Sequence, residues 1–153
     1  MVDPLSVGAI CTRIVTAVEG STPLPEAARL MRRDHIGCVV AVDPAAAGAR
    51  PIGILTDRDI VVTTLALDLD ARQLLVEDIM TREPRTILED EPLMAAVDAM
   101  RVQGVRRLIV TASDGAVVGM LSFDDVLAAM AMQLNAMTEA VVTGRMREGD
   151  ARF

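Results

Sequence analysis

The sequence has no Trp and no Tyr, and only two Phe among 153 residues. That removes the aromatic platforms on which unpaired bases and sugars usually stack. A core must instead be built from Val, Ile, Leu, Ala and Met, which a 52% apolar composition can supply. Lysine is absent as well, a bias we attribute to genomic base composition: all 15 basic residues are Arg, set against 22 acidic ones, for a net charge of −7. Neutralising a nucleic-acid backbone needs a basic face, so DNA or RNA binding is not expected, although local arginines can still hold one small anion. Two cysteines, Cys11 and Cys38, are too few for a disulfide scaffold at this length, and a reducing cytoplasm is the expected location. The start, MVDPLSVGAI, lacks the basic stretch and apolar run of a signal peptide. The longest apolar tract, VLAAMAMQLNAM, is interrupted by Gln133 and Asn135, so no membrane span is expected.

What is present is a duplication. Thr22–Val42 aligns without a gap on Glu91–Thr111 at an offset of 69, with Pro23 on Pro92, Leu24 on Leu93 and Met31 on Met100. Beyond the next strand the offset falls to 66, because DPAAAGARP is three residues longer than ASDGAV. A length change confined to a turn is what a hairpin tolerates. Within each copy, RIVTAV and PRTIL read as short strands. Leu24, Ala27, Ala28 and Met31, like Leu93, Ala96, Val97 and Met100, fall at helical spacing. CVVAV and RLIVT are buried-strand runs, and IGIL and VVGML return as hairpin arms. The helices DRDIVVTTLAL and FDDVLAAMAMQLNAM follow. Each copy thus reads β-α-β-β-α, an α+β class. A unit of roughly 60 residues leaves much of a sheet face exposed, so two copies packed face to face in quasi-two-fold symmetry are expected.

The two copies also share a motif, GILTDRDI at Gly53–Ile60 and GMLSFDDV at Gly119–Val126. A hydroxyl residue followed three positions later by an acid, before an apolar helix, is a capping box; Thr56 and Ser122 are the N-caps, answered by Asp59 and Asp125. The same corner suits ligand chemistry. A helix N-terminus presents unpaired N–H groups that can seat a phosphate, and an ionised Asp accepts the two hydroxyls of a ribose diol. Gly53 and Gly119 permit close approach of backbone or ligand. Arg58, Arg106 and Arg107 match phosphate oxygens bidentately, or else are solvated surface arginines.

The motifs EAARLM, HIGCVVAVD and GILTDRDI in the first copy, and VEDIMTREPRTI, AMRVQGVRRLIV and GMLSFDDV in the second, resemble a tandem pair of CBS domains, the regulatory Bateman module. The likeness runs from about residue 10 to 137. It implies a first CBS repeat over 10–70, a second over 74–137, and a helix end with a frayed tail over 138–153. No room is left for a fused catalytic domain, which suggests a stand-alone prokaryotic module. The resemblance further implies that Thr56 and Asp59 serve one cleft and Ser122 and Asp125 the other, through phosphate and ribose. The purine slot would be formed by Ala17, Val18, Ile36, Gly37 and Cys38 in the first copy and by Thr86, Ile87, Val105, Arg106 and Arg107 in the second. Plain core packing is the alternative for Val18, Ile36, Ile87 and Val105. The implied ligands contain adenosine: AMP, ADP, ATP, NAD(H) or S-adenosylmethionine, with a lean to AMP or ATP. Because Ala17, Gly37 and Cys38 stand where the second copy has Thr86, Arg106 and Arg107, the two sites are not expected to be equivalent.

His35 and Cys38 have H-x-x-C spacing, but two ligands do not make a tetrahedral zinc site, so no metal is expected and His35 is assigned to a loop or a subunit contact. With one His and no nucleophile elbow, no catalytic constellation is visible, and an enzyme is the weakest reading. Met130, Met132, Met137 and Met146 make the C-terminal helix too apolar for one small unit, which points to core packing, or to a homodimer seam or an unidentified regulated partner. The competing function is a scaffold with empty clefts that binds through this helix.

Overall fold

Helical spacing in both copies becomes a buried stripe: Leu24, Ala27 and Met31 on one helix, and Leu93, Ala96 and Met100 on its counterpart. The computed structural model describes residues 5–46 and 48–150, apart from the side chains at 144 and 146–150. Met146 and the tail 151–153 therefore lie outside what is described. In chain order the elements are α1 (Val7–Ile10), β1 (Ala17–Glu19), α2 (Leu24–Asp34), β2 (Cys38–Asp43), β3 (Arg50–Thr56) and α3 (Asp57–Ala66). A 3-10 turn (Ala71–Gln73) then leads to α4 (Val76–Ile79), β4 (Thr81–Arg82), β5 (Thr86–Leu88), α5 (Leu93–Gln103), β6 (Arg107–Thr111), β7 (Val117–Ser122) and α6 (Phe123–Asp150).

The repeats form two sheets with matching registers. β1 lies parallel to β2 and β2 antiparallel to β3; β5, β6 and β7 repeat the arrangement. Both hairpins carry a register shift at the same place, between Ala41 and Val42 and between Val110 and Thr111. The α+β class and the two β-α-β-β-α units are therefore observed. The first strand of each unit is shorter than its β-branched run suggests: residues 13–16 are not part of β1, and only the Thr16 carbonyl touches the sheet, accepting from Val40.

The segment that precedes each unit packs on the other unit. α4 and β4 close the first sheet, with β4 paired to β3, and Val76 and Met80 are buried with Val18, Leu24, Val39 and Leu55. Val7 and Cys11 are buried with Leu93, Leu108 and Leu121, and Thr12 bridges to Met120. Full burial of a valine stabilises by roughly 1.5–3 kcal/mol, so Val7 and Val76 (both 0% exposed) tie the units together. Gly53 and Gly119 serve this exchange. A Cβ on Gly53 would lie 2.3 Å from the Met80 sulfur, and one on Gly119 2.6 Å from that of Cys11. The close approach expected at these glycines is thus made by the chain itself.

Successive strand residues point to opposite faces. Val39 and Ala41 join the first core; Val40, fully buried but in neither core cluster, lies on the other face, and Ile109 repeats this in the second sheet. These faces form the seam between units. The hairpin tips meet as well: Val117 N–H donates to the Ala49 carbonyl at 3.0 Å, and Arg50 Nη2 to the Asp114 carbonyl at 3.1 Å.

α6 departs most from expectation. It spans 28 residues, and Phe123–Thr143 is, by length and composition, apolar enough to cross a membrane, contrary to the reading of the interrupted tract. Little of it is buried: Met132 is 72% and Met137 63% exposed. Gln133 and Asn135 are polar but uncharged, and Phe123–Thr143 keeps a mean hydropathy of 1.3 with both inside it.

Candidate functional site

Two helices start at the ends of hairpin arms, and both carry the capping box that the sequence announces. Asp59 Oδ2 accepts from the Thr56 N–H at 2.9 Å and the Thr56 hydroxyl at 2.7 Å, while the Asp59 N–H donates to Thr56 Oγ1 at 3.1 Å. Asp125 Oδ2 accepts from the Ser122 N–H at 2.8 Å and the Ser122 hydroxyl at 2.6 Å, and the Asp125 N–H donates to Ser122 Oγ at 3.2 Å. Each carboxylate therefore spends one oxygen on its own cap, and Oδ1 of each makes no hydrogen bond among the described residues.

A hollow lies beside only one of the two corners among the cavities described here. A cleft of about 260 Å³ opens between the units. The second unit lines it with Arg107, Met120, Ser122, Asp124 and Asp125. The first unit supplies Ile36, Gly37 and Cys38 from the start of β2, and the approach to β1 supplies Thr12, Ile14, Val15 and Thr16. Slot and acid thus come from different copies, because facing sheets bring the start of β2 against the end of β7. The Cys38 sulfur lies 3.4 Å from the Met120 sulfur across this seam. Three further cavities measure about 120, 370 and 470 Å³. Thr56 and Asp59 line none of the four.

The expected slot residues divide accordingly. Ile36, Gly37, Cys38 and Arg107 border the cleft with Ser122 and Asp125. Ala17 and Val18 do not, which corrects the expectation for the first strand: Ala17 is exposed and Val18 is buried in the first core. Their place is taken by Ile14, Val15 and Thr16, because the sheet begins only at Ala17 and the preceding chain runs along the opening. Thr16 supplies the side-chain hydroxyl that Ala17 lacks, and it donates to Asp34 Oδ2 at 3.3 Å. Ile87 and Val105 pack against the second core, and Thr86 is exposed on β5. Arg106 reaches only the 120 Å³ hollow, which it shares with Arg107, Ser122, Phe123 and Asp124. Arg58 is exposed and lines none of the four cavities.

The electrostatics of the cleft are mixed. Burial pushes the Cys38 thiol above its usual pKa, with the Arg107 charge acting against that and the Asp57 charge adding to it. Cys38 is therefore a neutral thiol at physiological pH. Among the described residues neither Arg106 nor Arg107 forms an ion pair, so both guanidiniums keep donors for other partners. Asp124 was not singled out from the sequence. Its signal was available as the residue aligned with Arg58, where the two copies reverse sign.

His35 is exposed and caps α2 at φ 53°, the left-handed position that Gly104 fills after α5 at φ 65°. Among the described residues no cluster of three or more His, Cys, Asp or Glu fits a metal ion.

Comparison with known proteins agrees with this architecture. The CBS domain family model matches twice, over residues 7–63 and 76–132. An uncharacterized protein from Methanopyrus kandleri is 32% identical over 80% of this chain, and the chain spans 61% of that protein's length. A 17.7 kDa protein from Acidianus ambivalens is 32% identical over 81% of this chain and 72% of its own length. Among solved structures, the CBS domain pair of protein MJ0100, in complex with 5′-methylthioadenosine and S-adenosyl-L-methionine, superposes with a TM-score of 0.70 at 26% identity, covering 82% of this chain and 98% of the other. A CBS domain protein from Pyrobaculum aerophilum complexed with AMP shares the fold, with a TM-score of 0.72 at 23% identity over 83% of this chain and 98% of the other. The duplicated fold, the exchanged α1 and α4 segments and these matches lead to one conclusion: the chain belongs to the CBS domain family and carries two CBS domains as a tandem pair.

Proposed function

We propose that this protein is a regulatory module that senses an adenosine-containing ligand in the cleft beside Asp125, without catalysis of its own. The observation that carries the proposal is the meeting, across the unit seam, of the open slot at Ile36–Cys38 with the capped corner at Ser122 and Asp125, around about 260 Å³. That volume is near the low end for small-molecule sites, roughly 300 Å³ upward. Oδ1 of Asp125 accepts from the ribose hydroxyls while Oδ2 keeps its cap. Ile14, Val15 and Ile36 enclose the purine, and the Thr16 region offers backbone groups to its edge. AMP, ADP, ATP, NAD(H) and S-adenosylmethionine share this adenosine moiety, and the two structural neighbours are complexed with AMP and with 5′-methylthioadenosine and S-adenosyl-L-methionine. A ligand held by both units favours one inter-unit arrangement, and only such a differential contact shifts a conformational equilibrium. Calorimetric titration with adenosine, AMP, ATP, NADH and S-adenosylmethionine tests the reading. Binding of at least one, lost in Asp125→Ala, is expected; absence of heat and of any melting shift across the set would overturn it.

A second reading has its own observation. Val61, Val62 and Leu65 on α3 are exposed, as are Met130, Met132, Leu134 and Met137 on α6, and an apolar groove of about 370 Å³ runs between α5 and α6. Exposed apolar surface of this kind marks an association site, and a homodimer with helices at the seam is the proposed form. Sedimentation equilibrium checks it: a monomer at micromolar concentration rejects the dimer.

A further inference from the structure

The cleft has a charge and donor inventory that discriminates among adenosine ligands. Three charged side chains line it, Arg107 against Asp124 and Asp125, so anionic groups outnumber cationic ones. Asp124 occupies the place that Arg58 holds in the other copy. A phosphate seated at a helix N-terminus needs free amides, and these are nearly exhausted. The Ser122 N–H goes to Asp125 Oδ2, the Phe123 N–H to the Arg106 carbonyl at 2.9 Å, and the Asp125 N–H to Ser122 Oγ. Among the described residues, only the Asp124 amide is left in the first turn. Two first-turn acids also offset the partial positive charge of the helix end. At the α3 corner the inventory is emptier still: the amides of Thr56, Asp57, Arg58 and Asp59 are all engaged. Phosphate seating at these helix starts, attractive from the sequence, is pre-empted by the protein's own caps. Beside Asp124 the cleft wall is soft and apolar, with the sulfurs of Cys38 and Met120 in contact.

Resting on the adenosine reading above, we infer that this cleft takes an adenosine whose 5′ substituent carries no net negative charge, a thioether or a sulfonium in preference to a phosphate. The carboxylate of Asp124 opposes a 5′ phosphate and favours a cationic sulfonium, while a methylthio group packs on the Met120 and Cys38 sulfurs. Arg107 is the one arginine among the cleft's lining residues, Arg106 reaching only the adjoining hollow, and one exposed guanidinium set against two carboxylates offsets a phosphate weakly.

Calorimetric titration of the full chain with 5′-methylthioadenosine, S-adenosylmethionine, AMP and ATP is the test. The thioether or the sulfonium is expected to bind at least about tenfold more tightly than AMP, and Asp124→Asn is expected to narrow that gap by about fivefold, the effect of one unit charge at several ångströms in a partly screened site. Asp124 is exposed and makes no side-chain hydrogen bond among the described residues, so the variant's melting temperature is expected to stay near wild type. AMP or ATP binding as tightly as 5′-methylthioadenosine overturns the inference and leaves the adenosine reading intact, as does a gap that Asp124→Asn does not narrow. Silence from all four compounds overturns the adenosine reading itself.

Discussion

The two capped corners are built from the same bonds and differ in what stands beside them. At Ser122 and Asp125 the opposing wall is Gly37 and Cys38, and an opening remains. Thr56 and Asp59 border none of the four cavities, and Arg106 and Arg107, aligned with Gly37 and Cys38, lie beside Ser122 and Asp124. The chain before each slot differs too: Thr81 and Arg82 form β4 against β3, whereas Thr12 makes one isolated bridge and residues 13–16 join no strand, with Ile14, Val15 and Thr16 lining the cleft. A local motif therefore sets a helix start and leaves the existence of a site to the facing copy.

The comparison can be broken most forcefully at the glycines. Gly119→Ala pushes a Cβ into Cys11 and to 3.0 Å from the Thr12 backbone oxygen, whereas Gly53→Ala meets only the flexible Met80 side chain. Overpacking typically costs 1–3 kcal/mol, so urea denaturation is expected to show a loss of about 3 kcal/mol for Gly119→Ala and about 1 kcal/mol for Gly53→Ala. Equal losses would mean that the two exchanged segments yield equally.

Separating cap from cleft is the next step. Asp59→Ala and Asp125→Ala are each expected to lose about 1 kcal/mol of stability, the usual value of a cap. Only Asp125→Ala is expected to weaken adenosine-ligand affinity tenfold or more, about 1.4 kcal/mol by calorimetry. Equal affinity losses would place a working site at both corners.

The thiols give a pH test that the composition makes clean. Burial raises both Cys11 and Cys38 above the usual 9.0. A raised folded-state value for an acid means that the folded protein holds the proton more tightly. Its contribution is fully present below about pH 9 and is lost as pH rises through the folded value. With no Lys and no Tyr, the thiols and the α-amino group are the groups that titrate between pH 8 and 11. A falling denaturation midpoint above pH 9 is expected, with a smaller fall in Cys38→Ala; a flat profile rejects the burial argument. A saturating ligand is also expected to slow maleimide labelling of Cys38, which labelling at an unchanged rate would exclude.

The smallest expected effect compares the helix ends. His35 adopts the left-handed conformation that Gly104 adopts without strain. His35→Gly is expected to stabilise by about 0.5–1 kcal/mol in thermal denaturation, and Gly104→His to destabilise by a similar amount.

Much of this was legible in the residues. The gapless alignment of residues 22–42 on 91–111 foretold paired α2/α5 and β2/β6 elements, since periodicity and turn chemistry act locally. Ser122, Asp125, Ile36, Gly37 and Cys38 stand out in the motifs of the sequence, and they meet in one cleft. Ala17 and Val18 were misplaced because a β-branched run does not reveal where a strand leaves its sheet. α1 and α4 went unread because a single turn of helix carries no period to detect. The exposure of α6 was invisible for a different reason: hydropathy measures the cost of leaving water without saying which apolar residues find partners.

Sequence alone determined the two units, their hairpins and both capping boxes, because those depend on interactions spanning a few residues. Tertiary structure decided the rest: that Val7 and Val76 cross to the opposite unit, that a slot from one copy faces an acid from the other, and that one corner has an opening beside it. Those outcomes depend on how side chains meet across the seam, as Cys38 meets Met120. No spacing along the chain encodes that fit.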